Sequence, residues 1–159
     1  MRYFKDSLWT AINSGNIEAK KLAKIEWKDN TRQYLFEYMK LEKRLPREVF
    51  EHFLTIDFHD YRLKEYKIIH NHYGDPNPIQ LFITVTKDTE LWTIEYNQIK
   101  KLNIDVVVEE IGNRGMDDWG YHELLIVDEK TISHEILFAS GSTILIYFLD
   151  NGISVRKEP

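Results

Sequence analysis

The apolar positions change their period near residue 60 of the chain. Before that point they recur at spacings of three and four; after it they alternate with polar residues. The first pattern belongs to helices and the second to half-buried strands. From Ile17 to about Arg44 there is neither proline nor glycine. Leu22, Ile25, Trp27, Tyr34, Tyr38, Leu41 and Leu45 fall near helical spacings there, which predicts an amphipathic helix with an aromatic-rich apolar stripe. Ser14-Gly15-Asn16 reads as a stop followed by a start, with Asn16 as cap and Glu18 suited to the positive helix end. Asp29-Asn30 marks a candidate break, because both residues favour caps and turns. Leu45-Pro46 ends the element, since the residue before proline avoids the α region. Pro46 suits the first turn of a further helix, in which Val49, Phe50, Phe53 and Leu54 share a face.

Beyond Tyr61 the segments YRLKEYKII, IQLFITVT, LWTIEYNQIKKL, NIDVVVEEI, WGYHELLIVD, TISHEILFA, STILIYFLD and ISVRK read as strands. Glu129-Lys130 and Gly141-Ser142 read as turns. Asp150-Asn151-Gly152 predicts a tight hairpin between the last two strands, because Asn-Gly supplies the positive φ angles of such a turn. The strands fall into two loosely similar halves: YKII, IQLFITVT and LWTIEYNQIKKL, then YHELLIV, ISHEILFA and ILIYFLDNGISV. The expectation is an α+β fold in a single domain, 1–159. An N-terminal helical lobe of about three helices (1–56) would pack on an antiparallel sheet or small β-sandwich of about seven strands (58–157).

Composition narrows the class. A hydrophobic fraction of 43% with 13% aromatic residues excludes a disordered acidic tail. The chain has no cysteine, which removes disulfides, thiolate zinc sites and cysteine nucleophiles and fits a reducing compartment. MRYFKDSLWTAINSGN lacks the apolar run of a signal peptide, and no stretch approaches the roughly 20 apolar residues of a membrane span. The expected setting is the cytoplasm, with no membrane contact.

His70-Asn71-His72 spells the name of a nuclease family. The residues that follow, Gly74-Asp75-Pro76-Asn77-Pro78, are turn formers, and both flanks are strand-like. A nuclease of that type splits its histidines across a ββα unit, and no helical pattern follows here. The segment therefore reads as a loop between two strands. His70 and His72 lie on one side of a strand and remain weak candidates for a metal, but two imidazoles fall short of the three or four ligands of a zinc site. In the dipeptides His59-Asp60, His122-Glu123 and His134-Glu135, strand neighbours point to opposite faces. Gly-x-Ser-x-Gly and glycine-rich phosphate loops are absent. No catalytic residue and no cofactor is expected.

The net charge is −5, unevenly placed. Residues 103–129 carry eight acids against the single base Arg114, so the remainder is slightly basic. This segment is either a solvated surface or an acidic face for a basic partner. Basic residues elsewhere are dispersed, and an acidic chain makes nucleic acid an unsuitable partner. Trp9, Trp27, Trp92 and Trp119 lie in four separate elements and suit packing of the helices on the sheet. Trp119 stands apart, because Asp117 and Asp118 precede it and Tyr121 follows. Acids interleaved with aromatics resemble an interface, so Glu109, Glu110, Asp117, Asp118, Trp119 and Tyr121 are the candidate binding patch. The alternative for Trp119 is burial at a strand entry.

MRYFKDSLW, EWKDNTRQY, RLPREVFEHF and FHDY resemble an uncharacterised bacterial family of the Bacillus type, a domain of unknown function, over most of the chain. HDY and HEILFASGSTILIYFLDNGISV are similar to small immunity proteins that neutralise secreted polymorphic toxins, over roughly residues 58–157. Neither resemblance implies catalytic residues. His59 and Asp60 match the recurring His-Asp pair and suit a structural role at the turn into the first strand. The expectation is a non-enzymatic protein-binding module, such as an immunity protein facing a basic toxin domain. A metal-dependent hydrolase and a structural or oligomerising module are the alternatives, and the oligomeric state is open.

Overall fold

The computed structural model describes residues 1–108 and 115–159. Three helices come first: α1 (Asp6–Asn13), α2 (Ile17–Met39) and α3 (Arg47–Thr55). Asn16 caps α2, its side chain accepting from the Ala19 N–H at 3.1 Å. The candidate break is not used. α2 runs through Asp29-Asn30 unbroken, and the Asn30 amide leaves the helix surface to donate to the Tyr3 carbonyl at 3.0 Å. The helix ends at Met39 rather than near Arg44, yet Leu41 and Leu45 stay buried as the chain turns toward α3. The predicted stripe is corrected at its start. Ala23, Trp27, Tyr34 and Tyr38 face inward, whereas Leu22 and Ile25 face solvent. The large rings decide the orientation, since they bury more area than leucine or isoleucine.

Eight strands follow: β1 (Arg62–His70), β2 (Ile79–Lys87), β3 (Glu90–Tyr96), β4 (Ile99–Asp105), β5 (Trp119–Ile126), β6 (Thr131–Phe138), β7 (Thr143–Leu149) and β8 (Ile153–Lys157). They form two antiparallel sheets, ordered β1-β2-β3-β8 and β4-β7-β6-β5. LWTIEYNQIKKL, read as one strand, is two strands in different sheets. Of NIDVVVEEI, residues 103–105 belong to β4, Val106, Val107 and Val108 are exposed outside any strand, and 109–111 lie outside the described residues.

The predicted hairpin at Asp150-Asn151-Gly152 is also corrected. β7 and β8 do not pair, and the turn carries the chain from one sheet to the other. Tyr96-Asn97-Gln98 makes the reverse crossing. The two crossings touch: Asn97 N–H donates to the Gly152 carbonyl at 2.9 Å, and Leu149 N–H to the Gln98 carbonyl at 3.3 Å. Each half of the β region thus builds a three-stranded meander and sends its fourth strand to the opposite sheet. On another side an isolated bridge between Arg62 and Asp118 ties β1 to the start of β5. There Trp119 N–H donates to the Tyr61 carbonyl at 2.7 Å and Leu63 N–H to the Asp117 carbonyl at 2.9 Å.

One apolar cluster fills the space between the sheets. Leu81, Ile83, Val85 and Ile94 meet Ile132, Ile136, Ile144 and Ile146, and Val49, Phe50 and Phe53 of α3 join them. α2 lies along the edge strand β5, where the Tyr34 hydroxyl accepts from the Leu124 N–H at 3.0 Å. That bond occupies an edge donor otherwise open to pairing with another chain.

The outer face of the second sheet opposes two like charges, because Glu123 and Glu135 are direct partners across β5 and β6. The N-terminal segment compensates both. The buried Glu123 carboxylate accepts from the backbone N–H groups of Arg2, Tyr3 and Phe4 at 2.7, 2.6 and 2.7 Å. The terminal ammonium of Met1 lies 2.8 Å from Glu135. Bonds to a charged acceptor are the stronger class. Glu123→Ala is expected to lower stability by roughly 2–4 kcal/mol and to release residues 2–4, since the orphaned donors must turn to water. Urea unfolding and amide exchange of Tyr3 and Phe4 check this; unchanged protection of those amides would refute it.

Candidate functional site

The residues singled out in the sequence do not form one surface. Trp119 is only 1% exposed and packs on Phe58, Phe138, His122 and His134. It is the strand-entry tryptophan of the alternative reading, so its place in an exposed patch is corrected. Its indole N–H, also buried, has no hydrogen-bond partner among the described residues. Asp117 and Asp118 flank Arg62 at 3.9 and 3.4 Å and hold the bridge between the sheets. Glu109 and Glu110 lie outside the described residues. The acidity of residues 103–129 is likewise spread out. Glu123 is buried under the N-terminal segment, and Asp128 and Glu129 sit at the turn beyond the far end of β5. Eight strand residues place that turn roughly 25 Å from Asp118.

His70 ends β1 and His72 sits in the loop to β2, both exposed. The loop is held by its turn formers: Asn71 N–H donates to the Pro78 carbonyl at 2.7 Å, Asn77 N–H to the Asp75 carboxylate at 2.8 Å, and Gly74 takes φ 93°. No group of three or more His, Asp or Glu side chains that could hold a metal occurs among the described residues.

Tyr121 is the predicted residue that leads to a site. It lines a pocket of about 270 Å³ between α2, the end of α3 and the start of β5. Its wall is largely aromatic. Phe4 and Trp27 lie 5.2 Å apart between ring centres, Trp27 and Tyr121 4.6 Å, and Phe4 and Tyr34 5.2 Å. Gly120 lies at a register shift between Trp119 and Tyr121, and that irregularity brings both rings to the pocket. His59 stacks on Tyr121 with ring centres 5.0 Å apart, and its Nδ1 lies 2.7 Å from the Gly120 carbonyl. His59 is thus hydrogen-bonded as expected, whereas Asp60 holds the turn through its backbone, at φ 65° with its N–H on the Trp119 carbonyl, and its carboxylate lies 3.7 Å from His59 and 3.9 Å from Lys87.

Asp57 gives the pocket its charge. It is exposed at the mouth and makes no ion pair among the described residues. Burial first, then the charges of Asp57 and Asp60, hold the Tyr121 hydroxyl above its usual range. Behind the pocket runs a buried polar relay that sequence reasoning treated only as separate dipeptides. The Tyr96 hydroxyl lies 2.7 Å from His134 Nδ1, and His134 Nε2 lies 2.8 Å from His122 Nδ1. If Tyr96 donates its one proton to His134, each following nitrogen pair is matched and His122 keeps its proton on Nε2. Burial holds both imidazoles neutral: His122 is pushed down to about 3, and His134 also lies well below its ordinary value. Their adjacency was open to inference from β5–β6 pairing, which sets His134 against Leu124, one pleat from His122.

A second groove of about 330 Å³ crosses the outer face of the first sheet beside Lys64, Lys67 and Arg156. Arg156 is already engaged by Glu158 at 2.9 Å and Glu95 at 3.7 Å. The aromatic pocket is thus the better-defined site.

No protein family matches this chain, no curated protein is similar to it at a meaningful level, and no solved structure matches its fold. The likeness to immunity proteins therefore rests on the sequence motifs alone. Among the described residues no helix is long and apolar enough to cross a membrane.

Proposed function

We propose that this chain is a non-enzymatic protein-binding module that takes a cationic side chain of a basic partner into the aromatic pocket. The observation that carries the reading is the pairing of aromatic walls with Asp57 at the mouth. Aromatic faces attract cations through their quadrupole, and a nearby carboxylate adds a charge that steers a basic partner. The relay supports a binding role rather than a proton-transfer role, since an imidazole held near 3 is a poor base at neutral pH. Neutralisation of a basic toxin domain is the form of this reading suggested by the immunity-protein resemblance.

A lysine-rich peptide, with a peptide of the same length carrying glutamine for lysine, tests it. Titration followed by the indole N–H signals and by Tyr121 is expected to show binding of the lysine peptide only. Asp57→Asn and Trp27→Ala are each expected to weaken that binding roughly three- to tenfold. Equal binding of both peptides, or no shift at Trp27 and Tyr121, would sink the proposal.

A further inference from the structure

The outward face of α2 carries a second apolar stripe, directly opposite the one that packs on β5. Leu22 is 68% exposed, Ile25 60%, Phe36 67% and Met39 44%. Asp29 and Arg32 lie between them, exposed and without ion pairs among the described residues. These six positions follow one another at steps of three, four, three, four and three, the seam spacing of a helix that packs on another helix. A lone exposed leucine is ordinary on a protein surface, but a seam of this period on one helix face is not.

The stripe is also its own complement. Its spacing and its chemistry are symmetric about the point between residues 30 and 31. A two-fold axis there sets Leu22 against Met39 of a second copy, Ile25 against Phe36, and Asp29 against Arg32. We propose that two copies of this chain pair antiparallel through α2 across that axis. A two-fold interface requires this self-complementarity, and only the antiparallel arrangement supplies it. A parallel pair in register would set Asp29 against Asp29 and Arg32 against Arg32. The central ion pairs fix register and direction, as a polar position does within an otherwise apolar helix seam. The contact extends over roughly 25 Å of helix. One helix pair sits at the low end of interface size, so dissociation is expected in the micromolar range.

Sedimentation velocity on the full chain, from about 1 to about 100 µM, is expected to show a monomer–dimer equilibrium. Asp29→Arg alone is expected to raise the dissociation constant at least about tenfold by setting guanidinium against guanidinium. Asp29→Arg combined with Arg32→Asp is expected to restore it. The chain has no cysteine of its own, so oxidative cross-linking is clean. Leu22→Cys mixed with Met39→Cys is expected to cross-link, and neither variant to cross-link with itself. A monomer throughout the range overturns the proposal, as does failure of the double exchange to restore pairing. Self-cross-linking of Leu22→Cys would indicate a parallel pair and overturn it equally. The lysines beside the stripe, Lys21 and Lys28, make a membrane surface the competing occupant. A monomer that sediments with anionic vesicles would decide for that surface against a second copy. Trp27→Ala, which alters the pocket on the opposite face, is expected to leave dimerisation unchanged, so the two readings stand or fall separately.

Discussion

Between pH 6.5 and about pH 4.5 the protein is expected to lose at least about 2 kcal/mol of stability from His122, with His134 acting in the same direction. His122 and His134 are neutral in the fold because burial disfavours the imidazolium, and charge on His52 would further oppose protonation of His122, as charge on His122 would that of His134. In the unfolded chain both titrate near the ordinary 6.5. Their folded values are depressed, so the unfolded chain binds more protons as pH falls below 6.5. The penalty is absent above 6.5 and grows as pH falls toward about 3, where His122 begins to protonate in the fold. Each proton taken up on unfolding adds a slope of somewhat over about 1 kcal/mol per pH unit in that window. His52, partly buried and shifted in the same direction, adds to it. Carboxylates with depressed values, such as Glu90 at about 2 and Asp128, lose their contribution at lower pH, so the upper window belongs to the histidines. Urea titrations at several pH values measure the slope. Fewer than about half a proton taken up above pH 5 would remove the neutral relay.

The legible parts of this fold were those fixed by local chemistry. Asn16 announced its helix because a side-chain acceptor next to unpaired N–H groups does the same work wherever it occurs. Turn formers located the loop from Asn71 to Pro78, and alternation located β1, β2, β5, β6, β7 and β8, while β3 and β4 ran together. The errors share a cause: each concerned which distant surface a residue meets. Ile25 and Trp27 stand two residues apart and so on opposite faces of one helix; spacings near three and four drew two stripes into one, and which of the two meets the sheet is decided by distant residues. The continuous run LWTIEYNQIKKL hides a change of sheet at Asn97-Gln98, because both strands alternate correctly on either side of it.

The candidate site was less legible for the same reason. Tyr121 stands out by its neighbours in sequence, but its pocket is built with Phe4, Trp27 and Asp57, which are far from it along the chain. The density of acids between residues 103 and 129 was real, but strand length separates Asp118 from Asp128, and folding uses Glu123 internally. Charge counted along a chain becomes charge on a face only when the strands holding it lie side by side. The two loosely similar halves fared better. Both end in a strand that crosses to the other sheet, so the repeat in sequence has a counterpart in topology.

Gly152→Ala is expected to cost roughly 2–4 kcal/mol, although alanine is otherwise the mildest of substitutions. The Asn-Gly pair suggested a hairpin in which both residues take positive φ. In the structure only Asn151 does so, at 61°. Glycine is required next to it for space. A Cβ on Gly152 would sit 2.7 Å from the Asn97 carbonyl oxygen and 2.8 Å from that of Leu149, and the Phe148 ring at 3.4 Å closes the remaining side. Both oxygens belong to the backbone of the crossings, and the same crossings are joined by the bond from Asn97 N–H to the Gly152 carbonyl. Relief at either oxygen therefore moves the point where both fourth strands change sheet. Asn151 gives the contrast. Asn151→Gly is expected to be nearly neutral, because glycine adopts its positive φ freely, and Asn151→Ala to cost about 1 kcal/mol. Thermal and urea unfolding of the three variants check the order. A Gly152→Ala cost no larger than that of Asn151→Ala would show that the crossings can part without disturbing the sheets, so that the close approach of the two backbones does not hold the fourth strands in place.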